Sequence, residues 1–250
     1  MKNYLNDDAR RNWQNLIELW KTVSMPFNGV HYKEGYTYSC LSHGEWPNRI
    51  WLNQPTTELL LDAVNQKANE LNESLTFPLV TDNAADLTYL EQELGWVKKF
   101  QQEAMMLELN EVLEPVERIQ LQAVRDLKEA AQWSAIFYDS FGYSIDAKVI
   151  AASMSKVQCY IAVNNGKPVG TAIIFVAHGV AGVHAVGVLP QERRKGYAEA
   201  IMMAVLYQIQ LQQEKKVVLQ ASDMGKPLYL KLGFRSQFVI HNFTMKGAYN

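Results

Sequence analysis

Between Val183 and Ala198 the chain reads V-H-A-V-G-V-L-P-Q-E-R-R-K-G-Y-A. An apolar, β-branched run ends at Pro190, a basic turn with one glycine follows, and an apolar-periodic helix begins at once with Ala198, Ile201, Met202, Val205, Leu206 and Ile209. A strand feeding such a turn into a helix start is built to hold an anion. The first N–H groups of the helix lack internal acceptors, and the helix dipole places partial positive charge there. Gly196 lets the backbone come close to a phosphate, and Arg193, Arg194 and Lys195 add full charges.

The rest of the chain makes this cluster a local feature. Across 250 residues the net charge is −2, which argues against a general nucleic-acid binder and for a small anionic ligand. Cys40 and Cys159 are far apart and lack metal-ligand spacing, so neither a disulfide framework nor a metal site is expected, and a reducing, cytoplasmic setting fits. Met1 to Arg11 is polar and does not resemble a signal peptide. Val169 to Leu189 lacks Asp, Glu, Lys and Arg, but its four glycines and β-branched residues suit two strands joined at His178-Gly179 rather than a membrane span.

A second stretch matters as much. Leu219 to Phe234 reads L-Q-A-S-D-M-G-K-P-L-Y-L-K-L-G-F: a strand end, a short helix bearing Tyr229, then Leu-Gly-Phe. Together with Arg193-x-x-Gly196-x-Ala198, and in this order, it resembles the GNAT superfamily of N-acetyltransferases. The resemblance implies an α/β (α+β) fold with a mixed sheet flanked by helices, and acetyl-coenzyme A as co-substrate without a metal. It covers residues 115–246 well and 1–110 by architecture alone.

Read in order, residues 11–24 form an amphipathic helix, 27–55 short strands and loops, 56–72 a helix, 75–80 a strand, 82–94 a helix and 100–109 a strand. In the loop 42–47, His43 and Glu45 carry chemistry or Trp46 simply holds the turn. The second half then gives a strand at 116–120, helices from Asp126 to Phe141 and over 145–154, a hairpin turning at Asn164-Asn165-Gly166, the stretch above, and strands at 216–220 and 238–245. Leu75 to Asp82, a helix and Leu94-Gly95-Trp96 parallel Val217 to Asp223, a helix and Leu232-Gly233-Phe234. This reads as a diverged internal repeat. Two tandem GNAT-like domains are therefore expected, 1–112 without a cofactor loop and 113–250 with one.

The resemblance also assigns roles. It implies that the amides of Arg194, Lys195, Gly196, Tyr197 and Ala198, with Arg193 opening the motif, wrap the pyrophosphate of coenzyme A. Val186, Gly187 and Val188 match a strand that splays from its neighbour to take the pantetheine arm; Gly187 within a strand also fits a bulge or a close approach. Tyr229 matches the proton donor to the departing thiolate, and Ser222 stands where an Asn often bonds the pantetheine arm. Many relatives carry a Glu before that position, where this chain reads Val217-Val218-Leu219-Gln220. The general base is then His184, whose ordinary pKa suits the task, or a water chain, Asp223 or Glu45. Trp133, Phe137, Tyr138, Phe141 and Tyr143 line an acceptor pocket or pack a core. The expected activity is acetyl transfer to a primary amine of a small molecule or peptide by direct attack. A non-catalytic acyl-coenzyme A sensor is the alternative.

Overall fold

The computed structural model of the chain describes residues 5–42, 44–71 and 75–245. The first part runs α1 (Asp7–Ser24), β1 (Val30–Tyr32), β2 (Tyr36–Ser39), β3 (Arg49–Leu52), α2 (Glu58–Leu71), β4 (Thr76–Leu79), α3 (Ala84–Thr88) and β5 (Trp96–Glu108). The second runs β6 (Gln120–Ala123), α4 (Leu127–Phe141), α5 (Ala147–Ser153), β7 (Gln158–Asn164), β8 (Lys167–Ala177), β9 (Val180–Val188), α6 (Tyr197–Leu211), β10 (Lys216–Ala221), α7 (Lys226–Lys231) and β11 (Arg235–Met245).

All the strands share one mixed sheet in the order β1-β2-β3-β4-β11-β5-β10-β9-β8-β7-β6. The pairs β3–β4 and β9–β10 are parallel and the others antiparallel. The order contains an exchange. β5 leaves the first half at Gly95 and pairs along β10, from Lys216↔Glu108 to Ala221↔Glu103. β11 leaves the second half at Gly233 and pairs with β4, from His241↔Leu79 to Thr244↔Thr76. Gly95 and Gly233 adopt φ of 70° and 89°, where a side chain would be strained, and the aromatic after each, Trp96 or Phe234, is 2% exposed. The two long strands then pair with each other down the centre of the sheet.

Helices cover both faces. Trp13, Leu16, Leu19, Trp20 and Val23 of α1 join Trp133, Ile136 and Phe137 of α4 and Val149 and Ile150 of α5 over one face. Ile201, Met202, Val205, Leu206 and Ile209 of α6 pack on the other, against Ile174, Ala181, Val183, Val217 and Leu219. Side chains fix the helix starts: Asn6 caps α1 by accepting from Ala9 N, and Asp126 caps α4 by accepting from Glu129 N.

Several element limits differ from the sequence reading. Asn6 starts α1 a turn early. The expected helix over 82–94 is α3 followed by a wider π turn, Tyr89–Glu93, in which Leu94 N reaches Tyr89 O at 3.1 Å. The strand expected at 116–120 is β6, because Glu117 and Arg118 turn instead. β5 starts directly after Gly95, and β11 starts two residues after Gly233. His43 lies outside the described residues; Glu45 is exposed and Trp46 buried.

Candidate active site

β9 and β10 hold a parallel ladder only at Val217↔Ala181 and Val218↔Gly182. Beyond that they diverge: β10 follows β5 to Ala221 while β9 bends towards β8. The bend is a bulge. Thr171 faces Gly187 but Ile173 faces His184, so Ala185 and Val186 together oppose one residue of β8. Ala185 sits at φ 51°, and its carbonyl accepts from Thr171 Oγ1 at 2.9 Å. Gly187 is glycine for a reason next to the bulge: a Cβ there would lie 2.5 Å from Phe141 Cε2 and 2.9 Å from Ser140 Cβ. The close approach inferred from its sequence position is therefore that of the α4 C-terminus. The edge of β9 from Val183 to Val188 is left facing β10 without a ladder partner.

Just past β9, a 3-10 turn Pro190–Glu192 leads into the basic loop. Arg194 and Gly196 have φ of 60° and 78°, which points successive amides into one concavity. The first intrahelical bond of α6 is Ala200 N to Gly196 O, and no side chain caps the helix. The N–H groups of Tyr197, Ala198 and Glu199 thus face outward from a helix start. Arg118, which the sequence reading missed, lies beside them: its Nη2 donates to Lys195 O at 2.5 Å and its guanidinium stacks 4.5 Å from the Tyr197 ring. Lys195 pairs with Glu192 at 2.9 Å. The Arg193 guanidinium is engaged elsewhere, by Ser140 O at 2.7 Å and Val188 O at 3.3 Å, so its side chain ties α4 to the loop.

The splay opens into a cavity of about 290 Å³, whose lining includes Val183 to Val186, Leu219, Gln220, Ser222 and Tyr229. Tyr229 packs edge-on to Phe234, ring centroids 5.8 Å apart, and burial pushes its phenol up to about 12. Among the described residues nothing hydrogen-bonds its hydroxyl. Ser222 is exposed at the cavity rim, with Oγ accepting from Gly225 N at 3.2 Å.

Comparison with known proteins now bears on this geometry. The sequence model of the acetyltransferase (GNAT) domain matches residues 155–236, which contain β9, the basic loop, α6, β10 and Tyr229. Over this stretch the chain is similar to the GNAT domain.

Solved structures extend the GNAT fold over nearly all of the chain. A GCN5-related N-acetyltransferase from Kribbella flavida is 18% identical with a TM-score of 0.66, covering 91% of this chain and 95% of that one. One from Sphaerobacter thermophilus is 16% identical (TM-score 0.62; 84% and 76% covered). A conserved protein of unknown function from Staphylococcus epidermidis is 18% identical (TM-score 0.63; 87% and 93% covered). Comparison with curated proteins finds no match. The domain matched at residues 155–236 supports acyl transfer.

The rest of the cavity lining comes from both halves of the chain. Leu16, Leu19 and Trp20 of α1, Trp46, Arg49 of β3, Phe100 and Gln102 of β5 and Asn242 of β11 meet Phe137, Phe141, Tyr143 and Ile145. Of the aromatics singled out in sequence, Phe137, Phe141 and Tyr143 line it, Trp133 is core, and Tyr138 is 55% exposed. Burial raises the Tyr143 phenol, partly countered by Arg49.

His184 lies in the lining and is wrapped in amides. Asn15 Nδ2 donates to Phe175 O at 3.0 Å and Val180 O at 3.3 Å, which fixes its Oδ1 as the acceptor 3.2 Å from His184 Nε2. Gln220 Nε2 donates to Asn12 Oδ1 at 2.7 Å, and the Gln220 side chain also bonds the imidazole. Burial lowers the His184 pKa to about 4, against the Gln220 bond, which favours the charged ring. The ring is therefore neutral at physiological pH, with its proton on Nε2 and a lone pair on Nδ1. Asp223 is exposed, and no carboxylate is among the described lining residues. Cys159 is 2% exposed with its thiol pushed up to about 12, an inert core position. Among the described residues no group of three or more His, Cys, Asp or Glu is placed to hold a metal, and no helix is long and apolar enough to cross a membrane.

Proposed function

We propose that this protein is a GNAT-type acyltransferase that moves an acetyl group from acetyl-coenzyme A to a primary amine by direct attack. The observation that carries the reading is the splay of β9 from β10 beside an uncapped helix start, with Tyr229 at the cavity between them. When bound, the thioester supplies an activated acyl group; the chain supplies the rest.

The amides of Arg194 to Ala198, with the charges of Arg194, Lys195 and Arg118, hold the pyrophosphate. The open edge of β9 at Val186, Gly187 and Val188 holds the pantetheine arm, with Ser222 across the gap, and donates to the acyl oxygen as negative charge grows there. His184 takes the amine proton at Nδ1 while Asn15 holds Nε2–H. With so low a pKa it keeps that proton briefly and hands it on through the cavity. As the C–N bond forms and the C–S bond breaks, Tyr229 gives its proton to the sulfur; burial keeps the phenol protonated for this step. We further read residues 1–112 and 113–250 as two GNAT-like copies that exchanged their last strands, and place the reaction in the cytoplasm on the reducing setting implied by the sequence.

The test is thiol release from acetyl-coenzyme A with a panel of primary amines, beside calorimetric titration of acetyl-coenzyme A. Amine-dependent release, with Tyr229→Phe slow but still binding, supports the proposal. Binding without release for any amine would leave a sensor, and absence of binding would remove the donor.

A further inference from the structure

The chemistry above uses one end of the cavity, around His184. Four polar side chains line the cavity in a row, one from each of four neighbouring strands: His184 on β9, Gln220 on β10, Gln102 on β5 and Asn242 on β11. The row runs diagonally across the sheet. Gln220 pairs with Ala104 and Gln102 with Ile240, in each case two residues from the next member. Around it lie the aromatic side chains of Trp20, Trp46, Phe100 and Phe141.

Backbone carbonyls fix which way these amides point. Gln102 Nε2 donates to Gln220 O at 3.4 Å, which leaves Gln102 Oε1 to accept from Asn242 Nδ2 at 3.2 Å. Asn242 Nδ2 also lies 3.5 Å from Ile240 O. Turning the Asn242 amide over would set oxygen against oxygen at both contacts, so its Oδ1 is held on the opposite side. Among the described residues that oxygen accepts from nothing. It is not sealed off either. Asn242 is 2% exposed, but the described side-chain atoms buried without a partner are Trp51 Nε1, Ser134 Oγ, His241 Nδ1 and Thr244 Oγ1. A fixed carbonyl oxygen on a nearly buried residue that lines a cavity is an acceptor position waiting for a donor.

We infer that Asn242 Oδ1 is a specificity contact: it takes a hydroxyl or N–H donor at the far end of an elongated primary amine whose nitrogen reacts beside His184. The inference rests on the acetyl-transfer reading for the nitrogen end alone. The length follows from the sheet. β9 and β11 are three strand spacings apart, about 14 Å. At about 1.2 Å per bond of extended chain, that span takes roughly ten bonds between nitrogen and donor. A short amine seated at His184 does not reach Asn242. The aromatic side chains suit the apolar middle of such a chain, and about 290 Å³ holds one of them. Gln102 and Asn242 stand on the two exchanged strands, so the exchange itself builds this end of the cavity.

Two pairs of amines test this before any mutation, each an amino alcohol against its methyl ether, which keeps the oxygen and loses the donor: 8-amino-1-octanol against 8-methoxyoctylamine, and 3-amino-1-propanol against 3-methoxypropylamine. Binding is read by tryptophan fluorescence with coenzyme A present, since Trp20 and Trp46 line the cavity, and turnover by thiol release from acetyl-coenzyme A. In the wild type the long alcohol is expected to exceed its ether at least about fivefold in affinity and in kcat/KM, through KM, the scale of one hydrogen bond to a buried carbonyl, with the short pair within about twofold. Asn242→Leu brings the long pair within about twofold as well, and Asn242→Asp, which keeps an oxygen there, retains the gap. Gln102→Met leaves Oδ1 in place but frees the amide to turn, and narrows the gap. A long alcohol that binds in an Asn242-dependent way without turnover sustains the inference and overturns acetyl transfer. Turnover of the long ether as good as that of the alcohol sustains transfer and overturns the inference. An alcohol preference that survives Asn242→Leu, or no binding of the long alcohol, overturns it too.

Discussion

His184 Nε2 and Asn15 Oδ1 stand 3.2 Å apart although 169 residues separate them in the chain. Asn15 is fully buried on α1, and its amide cannot turn over without losing bonds to backbone carbonyls on β8 and β9. The first helix thus decides which nitrogen of a second-half histidine carries the proton. Asn15→Leu removes the acceptor and leaves the His184 N–H without it. An expected loss of about 1–3 kcal/mol in urea unfolding accompanies a drop in kcat larger than any change in acetyl-coenzyme A affinity. Equal kinetics in wild type and Asn15→Leu would remove the positioning role.

The low pKa of His184 sets a sign for stability. The unfolded ring titrates near 6.5 and the folded one at about 4, so between these values the unfolded state binds more protons. Stability attributable to His184 is intact above about pH 6.5 and falls as the pH drops towards 4, by up to about 3 kcal/mol. Denaturation midpoints recorded from pH 7.5 to 4 should decline more steeply in the wild type than in His184→Gln. His241, also lowered by burial and by Lys98, stays in both proteins and cancels in that comparison. The same value puts the acid limb of kcat, if His184 is the base, near pH 4–5 rather than 6–7.

Tyr229→Phe keeps the edge-on packing on Phe234 and removes only the hydroxyl. For a proton donor in the rate-limiting step, kcat should fall about 100-fold with acetyl-coenzyme A binding unchanged. Because the phenol is pushed up to about 12, the wild-type rate should show no alkaline loss from this group below pH 10. A variant within twofold of wild type would make Tyr229 a packing residue.

Gly196→Asp places a carboxylate among the outward-facing amides, at a φ of 78° where side chains are strained. Calorimetry should show loss of acetyl-coenzyme A binding, while Arg118→Met weakens it about tenfold by removing one phosphate-facing charge. Unchanged affinity in both variants would move the donor site away from this loop.

The strand, basic loop and helix start were legible in the sequence because their determinants are local. An apolar run, Gly196 between basic residues and a helix period all fall within one short stretch, as do Tyr229 and its glycine. The acceptor side was not, because its residues come together only through tertiary pairing. Asn12 and Asn15 read as polar positions of an amphipathic helix, yet they sit on the stripe of Leu16, Leu19 and Val23, a signal that their amides are buried. Gly187 was noticed, but its cause, Phe141 against β9, needed the packing of α4. Arg118 lay in a segment read as strand. Neither β5 nor β11 announces its partner, since strand alternation encodes which face is buried and not which strand lies alongside.

That exchange yields the last prediction. If the chain is cut after residue 112, the second fragment keeps β9, the basic loop and Tyr229 but loses β5. β10 then has an open edge from Lys216 to Ala221, and Met105, fully buried, leaves the core beneath α6. The first fragment loses β11, and with it Phe243 from the buried cluster that holds Phe77 and Trp96. Each piece therefore exposes a central strand face that the other was covering. Expressed singly, both fragments should be unfolded or aggregated by circular dichroism and size exclusion. Expressed together, they should form a one-to-one complex that binds acetyl-coenzyme A. A second fragment that folds and binds by itself would show that the halves are independent domains whose exchanged strands are dispensable.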